Sequence, residues 1–139
     1  MKRKLYICSV CGNMVDIINS SGNPLTCCNK EMIEVIPHMS DDEYSEKHLP
    51  VCDLKDNHLY VSVGSTPHPS EDKHHIEWIY VQLSNGGIRK YLKAYERPVA
   101  CFALCDGDKV ERIYAYCNIH GLWVNDNPLP DCNCTNTCN

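Results

Sequence analysis

The sequence contains no hydrophobic run long enough to cross a membrane, since a transmembrane helix needs about 20 consecutive apolar residues. It shows no secretory signal, and beyond Lys2, Arg3 and Lys4 its basic residues form no cluster. With a net charge of −5, this lack of a basic patch argues against a nucleic-acid partner. No stretch has a convincing helical periodicity. These absences predict a cytoplasmic protein, mainly β, that binds neither a membrane nor nucleic acid.

Cysteine, by contrast, is abundant, with 11 cysteines in 139 residues. A density of about 8% is found in small secreted proteins held together by disulfides. Here the count is odd, no export signal is visible, and most cysteines stand at spacings typical of metal ligands. Metal binding is therefore favoured over a disulfide framework.

Composition divides the chain into three regions. Residues 1–37 form a short cysteine-rich domain with few apolar side chains large enough for a core. Residues 38–124 carry repeated strand-like runs, and residues 125–139 are polar, rich in turn-forming residues and without periodicity. We expect a small domain, a larger domain and a loose tail.

A period of two marks the strands of the middle region. Large apolar residues alternate from Leu59 to Val63. A second alternating run, over residues 76–81, places Ile76 on the same face as Trp78 and Tyr80. Both runs predict β-strands.

Two turns predict β-hairpins. Asn-Gly-Gly at 85–87 leads into a strand over 88–95, and Asp-Gly-Asp at 106–108 separates strand-like runs at 99–104 and 110–117. Short strands at intervals of about 8–12 residues predict an antiparallel β-sandwich.

Four cysteines near the start of the chain have the spacing of a metal site. A Cys-x-x-Cys-Gly turn points two sulfurs the same way, and an adjacent pair of cysteines can join them only at a tight bend. Four thiolates suit zinc and iron about equally, and either ion would stabilise a domain too small to fold on its own core. This set consists of Cys8, Cys11, Cys27 and Cys28.

Four histidines and one cysteine of the middle region form a second set of donors. Zinc takes four protein ligands, or three with a water, whereas four imidazoles and a thiolate describe a square pyramid, a shape that iron accepts. Strand alternation points His74 and His75 to opposite faces, so only one of the two can easily reach the same metal. An acidic loop over 38–48 is expected to deliver the first donor. The set consists of His48, His68, His74, Cys117 and His120.

The charge around the second set favours a small anion as substrate. Ferrous iron with four neutral imidazoles and one thiolate keeps a net positive charge; Lys47 adds another beside it, and Glu46 can subtract one. A positive spot on an acidic protein attracts a small anion. With a vacant position opposite the sulfur, such a centre suits the reduction of a small anionic oxygen species.

Over about residues 1–124 the chain closely resembles the desulfoferrodoxin family, the two-iron superoxide reductases of anaerobic and microaerophilic microbes. The resemblance rests on the Cys-x-x-Cys-Gly turn with its later cysteine pair and on four further motifs in the family's order. These are Glu-Lys-His-x-Pro at 46–50, Gly-Ser-Thr-Pro-His-Pro at 64–69, Lys-His-x-Ile-Glu-Trp-Ile at 73–79 and Cys-Asn-x-His-Gly-Leu-Trp at 117–123.

The resemblance implies two iron ions per chain, one of them a desulforedoxin-type iron held by the four N-terminal cysteines. It implies an immunoglobulin-like larger domain, a homodimer, and rubredoxin as the electron donor. Around the second iron it places Cys117 axially and, equatorially, His48, His68, His74 and His120.

The same resemblance suggests roles for two loop residues. Lys47 would attract superoxide and, through water, help to deliver a proton as hydrogen peroxide forms. Glu46 would then bind the oxidised iron, because a carboxylate is a hard donor. The alternative is an exposed ion pair of little consequence. The four-cysteine iron either relays electrons or only stabilises the fold.

Two other functions are compatible with these residues. One is a zinc-stabilised binding module on a β-sandwich, without catalysis. The other is an electron-transfer protein, in which the open metal position has no role.

The remaining cysteines are interpreted without a function. Cys52, Cys101 and Cys105 are expected to be small buried side chains, the last two on one strand face with Ala103. In the tail, three cysteines have no fourth ligand nearby, so a loose segment is favoured over a soft-metal site or a redox-active thiol cluster. They are Cys132, Cys134 and Cys138.

Overall fold

The computed structural model of the chain describes residues 3–64 and 68–129. The chain divides between Ile36 and Pro37 into two compact units. The three tail cysteines, and most of the segment predicted to be a loose tail, lie outside the described residues.

The first unit is built from very short strands. Three of them form an antiparallel sheet in which the strand Leu5–Ile7 lies between Met14–Asp16 and Ile33–Val35, and two form a separate hairpin. Its buried hydrophobic side chains, within the described part of the unit, are Leu5, Cys8 and Met32. So small a core is typical of domains that depend on a metal. The strands are β1 (Leu5–Ile7), β2 (Met14–Asp16), β3 (Thr26–Cys27), β4 (Lys30–Glu31) and β5 (Ile33–Val35).

The second unit is a β-sandwich preceded by one turn of helix, α1 (Ser45–His48). Its two antiparallel sheets have the strand orders β10-β7-β6 and β12-β11-β8-β9. The chain crosses between the sheets after β7, β9 and β10, which is the immunoglobulin-like arrangement expected from the resemblance. The strands are β6 (Pro50–Lys55), β7 (His58–Val63), β8 (Ile76–Leu83), β9 (Gly86–Tyr91), β10 (Val99–Ala103), β11 (Val110–Cys117) and β12 (Gly121–Asn125).

The core of the sandwich confirms the alternation predicted for β7. Leu59, Val61 and Val63 point inward and are buried, while Tyr60 between them is exposed. Phe102 of the neighbouring strand β10 is fully buried in the same core. Cys117, the last residue of β11, belongs to this cluster as well. One predicted metal ligand is therefore anchored in the hydrophobic core itself.

The face predicted for Ile76 is wrong. Tyr116 pairs with Trp78, but the next residue, Cys117, pairs with Ile76, so β8 has an extra residue, Glu77, opposite β11. This β-bulge reverses the alternation, because the residue before the bulge changes face. Ile76 therefore packs in the core cluster, to which Trp78 does not belong.

The second predicted hairpin is also wrong. β10 pairs with β7 and β11 pairs with β8, so the turn at 106–108 carries the chain from one sheet to the other. The first hairpin is confirmed with a shifted turn, since Gly86 already pairs with Leu83 and the strand ends at Tyr91. Cys105 lies beyond the end of β10 and is exposed, which corrects its interpretation as a buried side chain.

Within the described residues, the only helix has four residues, far too few to cross a bilayer.

Candidate metal centres

The second unit brings the four histidines and the cysteine of the predicted set together. One nitrogen of each imidazole and the sulfur of Cys117 all lie within 4.8 Å of one another. His48 comes from α1, His68 and His74 from the segment before β8, and His120 from the loop between β11 and β12. With Cys117 at the end of β11, three residues before His120, donors from three separate segments thus converge on one point.

The four imidazole rings stand in a square. Going round the order His48, His68, His74, His120, the centroids of successive rings are 4.6, 4.8, 5.0 and 4.7 Å apart. Across the square, the rings of His48 and His74 are 6.4 Å apart. A tetrahedral set would make all these distances similar. The arrangement of the rings is therefore closer to a square than to a tetrahedron, which is compatible with the square pyramid expected from the sequence.

The distances between donor atoms also fit a metal ion. His120 Nδ1 lies 3.1 Å from His48 Nε2 and 3.2 Å from His74 Nε2. With metal–nitrogen bonds of about 2.1 Å, ligands at right angles are about 3.0 Å apart, and tetrahedral ligands about 3.4 Å apart. The 3.1 Å distance is closer to the right-angle value, and the 3.2 Å distance lies midway between the two.

For two of the four rings, hydrogen bonds select the nitrogen that is offered to a metal. His48 Nδ1–H donates to the carbonyl oxygen of Tyr44 at 2.9 Å, and His68 Nδ1–H donates to that of Pro69 at 2.6 Å. Each Nε2 therefore keeps its lone pair. The Nε2 atom of His68 is buried and has no hydrogen-bond partner among the described residues. A buried nitrogen without a partner is costly, so this atom fits a metal ligand.

Burial keeps these imidazoles neutral. It lowers the pKa of His48, and it lowers the pKa of His68 to about 4, although the carbonyl that each ring faces acts in the opposite direction. Neutral imidazole is the form that binds metals. These two imidazoles are thus ready to bind a cation at neutral pH.

Cys117 supplies a sulfur that water does not reach. Its side chain is fully buried, and the backbone N–H of His120 donates to Sγ at 3.4 Å. Burial raises the pKa of this thiol, and the backbone N–H groups of His120 and Ile119 lower it in part. A cation beside the sulfur would overcome the cost of burying a thiolate.

The two predicted catalytic residues lie on α1. Glu46 and Lys47 are exposed, whereas the next residue, His48, is buried among the donors. His38 and His75 are not part of the donor group.

Sequence reasoning missed three residues that hold the ligands. Tyr44 supplies the carbonyl that orients His48, and it has a left-handed backbone with φ 67. The Trp123 ring stacks on His48 at 4.8 Å, and its Nε1–H donates to the carbonyl of His120. Asn118 bonds to the segment that carries His74. Trp123 and Asn118 could have been found from the sequence, because both belong to the Cys-Asn-x-His-Gly-Leu-Trp motif at 117–123.

The first unit gathers the four cysteines of the other predicted set. Their sulfurs lie within 4.8 Å of one another, and Sγ of Cys11 is 3.6 Å from Sγ of Cys27. That distance is too long for a disulfide and close to the value of about 3.8 Å for two thiolates on a tetrahedral ion. The tight bend expected at the cysteine pair is a turn at Cys28 and Asn29, both with positive φ.

The pKa values of the Cys8 and Cys28 thiols are shifted in opposite directions. Backbone N–H groups of Cys11 and Val10 point at the sulfur of Cys8 and lower its pKa to about 6. Contacts with the thiols of Cys11 and Cys8 raise the pKa of Cys28 to about 12. Four thiolates at this spacing repel one another unless a cation lies between them.

Comparison with known proteins gives the same result for both units. The family model described as desulfoferrodoxin matches residues 40–126, and that of the desulfoferrodoxin N-terminal domain matches residues 1–35. A desulfoferrodoxin homolog of Archaeoglobus fulgidus is 43% identical over 121 residues, which is 86% of this chain and 94% of the relative.

Two further relatives have a named activity. A superoxide reductase of Pyrococcus horikoshii is 33% identical over 105 residues, covering 63% of this chain and 90% of its own length. The crystal structure of the superoxide reductase from Treponema pallidum superposes with a TM-score of 0.75 at 26% identity, covering 89% of this chain and 97% of that one.

We predict that Cys11→Ser removes one metal ion and leaves the other. Cys11 supplies one of four sulfurs in a unit with little core, so its loss should also unfold that unit. Metal analysis per chain, with hydrogen exchange of strands β1 to β5, measures both effects. Cys105→Ser changes an equally exposed cysteine outside both groups and should keep both ions. Full metal content in Cys11→Ser would contradict the assignment.

Proposed function

This chain belongs to the desulfoferrodoxin family, and on that premise we propose that it is a superoxide reductase. It would add one electron and two protons to superoxide and release hydrogen peroxide, without forming oxygen. The observation that carries the proposal is the square of four imidazoles with a buried thiol among them. The relatives named superoxide reductase support the same activity.

Iron is the metal that this donor set fits best. His48, His68, His74, His120 and Cys117 would hold it, and the four N-terminal cysteines would hold a second iron. When bound to the histidines, iron supplies the electron and a binding position for the anion. The square array is unfavourable for zinc, which prefers a tetrahedron.

Lys47 would attract the anionic substrate and help to deliver a proton to it. It is exposed on α1, directly before the buried ligand His48. The pKa of His74 is lowered by burial and by His120, and the positive charge of Lys47 contributes in the same direction, which indicates that this charge reaches the donor set. An ammonium group there attracts an anion and can pass a proton to it through water as peroxide forms.

Glu46 would act after the substrate is reduced. Its carboxylate raises the pKa of His48, so it too acts on the donor set, although burial is the largest influence on that pKa. A carboxylate stabilises a metal of higher charge better than it stabilises the reduced ion. Glu46 would therefore bind the oxidised centre once product has left, and it would leave when an electron is returned.

The electron must come from outside the chain, and rubredoxin is the donor we propose. We also propose a homodimer, a cytoplasmic location and the division into domains at 1–37, 38–124 and 125–139. The four-cysteine iron would either relay the electron or stabilise the first unit.

The function itself is tested with a pulse of superoxide. We expect anaerobically reduced protein with two irons per chain to be oxidised rapidly by superoxide, with hydrogen peroxide and no oxygen as products. Time-resolved absorption and peroxide assay measure this. A colourless zinc protein would instead indicate a binding module, and iron that superoxide oxidises slowly would indicate electron transfer alone.

We predict that Lys47→Ile slows superoxide reduction about tenfold at low ionic strength, because steering by one well-placed charge is lost. The rate of the variant should also depend less on salt. Lys55→Ile removes an equally exposed charge five residues after Pro50 along β6 and should keep the rate of the unmodified protein. If both variants behave alike, net charge rather than position matters and Lys47 has no role in the mechanism.

For Glu46→Ala we predict an unchanged rate of superoxide reduction and an altered visible spectrum of the oxidised protein. Removal of a ligand that binds only the oxidised metal changes the spectrum of that state alone. Glu43→Ala, at an exposed acidic residue outside α1, is the matched control and should leave the spectrum as it is. Identical spectra for both variants would rule out metal binding by Glu46.

A further inference from the structure

We propose that Asn118 is a positioning residue, whose side-chain amide holds the ligand His74 in place for the metal. The inference rests on the proposed iron centre and goes beyond it. Asn118 lies between Cys117 and His120, in the loop that joins β11 to β12. Its amide bonds to backbone groups on either side of His74 and not to a donor nitrogen.

The evidence is a set of three hydrogen bonds around His74. Asn118 Oδ1 accepts from the backbone N–H of His75 at 3.0 Å, and Asn118 Nδ2 donates to the carbonyl of Lys73 at 3.0 Å. The backbone N–H of Asn118 donates to the carbonyl of His75 at 3.3 Å. The residues on both sides of His74 are thus bound to one asparagine.

The backbone of His74 itself is closed in a turn. Its N–H donates to the carbonyl of Glu71 at 3.1 Å, and its carbonyl accepts from the N–H of Glu71 at 2.9 Å. These bonds hold the turn together but do not attach it to the rest of the site. Asn118 attaches the residues on both sides of His74 to the segment that supplies Cys117 and His120, next to the pairing of Cys117 with Ile76.

The chemistry of the side chain explains why an asparagine stands here. A carbonyl and an N–H two residues further on present one acceptor and one donor side by side, as the edge of a strand does. A carboxamide has one donor and one acceptor at the same spacing and can satisfy both. A carboxylate would face the carbonyl of Lys73 with a second acceptor, and an apolar side chain would satisfy neither group.

The consequence is a fixed distance between ligands. Nε2 of His74 lies 3.2 Å from Nδ1 of His120, and the amide of Asn118 connects the two segments that carry these rings. Without the amide, the turn at 71–74 could move away from the loop, and one corner of the square would open. Loss of such an outer partner of a metal ligand typically lowers metal affinity about 10- to 100-fold.

The test compares Asn118→Ala with the full-length unmodified protein. We expect iron in the histidine centre to be lost to a ferrous chelator at a concentration about 10- to 100-fold lower. Mössbauer spectroscopy separates this iron from the four-cysteine iron, because their ligands differ. Asn125→Ala is the matched control, since it removes a similar amide bond, to the carbonyl of Pro50 at 3.0 Å, and it should retain iron normally.

A double variant shows whether Asn118 acts through His74. In a His74→Ala background, Asn118→Ala should change iron retention less than about twofold, because the ligand it positions is already gone. Equal losses in both backgrounds would overturn the proposal in favour of a general effect on folding. Hydrogen exchange of the His75 backbone N–H should be faster in Asn118→Ala, because this N–H loses its acceptor, Asn118 Oδ1. The measurement can be made on the protein without metal.

Two outcomes keep the proposals apart. If the unmodified protein holds no iron in the histidine centre, the proposed function fails. If it holds iron and Asn118→Ala retains that iron equally well, only the positioning role fails. Should Asn118→Ala not fold, Asn118→Ser keeps a polar turn residue whose shorter side chain cannot bridge both groups, and it should show the same loss.

Discussion

The pairing of Cys117 with Ile76, at the end of β11 and just before the bulge in β8, is the constraint on which the site depends. Cys117 is fully buried in the core of the sandwich, so its sulfur is held as firmly as any core side chain. The chain then turns and enters β12 at Gly121, whose φ of +82 suits glycine, and this turn brings His120 back to the sulfur. Three further histidines are added to that fixed pair from segments at the surface of the sandwich.

Hydrogen bonds to the backbone orient the ligands before any metal binds. The Nδ1–H groups of His48 and His68 are held by carbonyl oxygens, and the ring of His48 is held in addition by stacking on Trp123. Rigid ligands lose little conformational freedom on binding, which favours one coordination geometry over others. Glu46 and Lys47 lie on the exposed side of α1.

The donor residues could be predicted from the sequence, but their geometry could not. Histidine and cysteine at chelating spacings reveal a metal site, because few other roles require those residue types together. The order of the rings around the square depends on contacts such as His48 with His120, which are 72 residues apart. The bulge at Glu77 has no local signature, so alternation failed at Ile76. The turn at 106–108 is a good hairpin turn locally, but β10 and β11 pair with strands of different sheets.

The square of imidazoles also affects which metals can compete with iron for this centre. Its shape is unfavourable for zinc, which is more strongly bound than ferrous iron by most nitrogen ligands. Tetragonal nitrogen donors are, however, the preferred surroundings of copper(II), the ion that stands highest in the affinity series of divalent first-row metals. The geometry is therefore unfavourable for one competing metal and favourable for another, and we expect copper(II) to compete with iron for this centre when the protein is loaded.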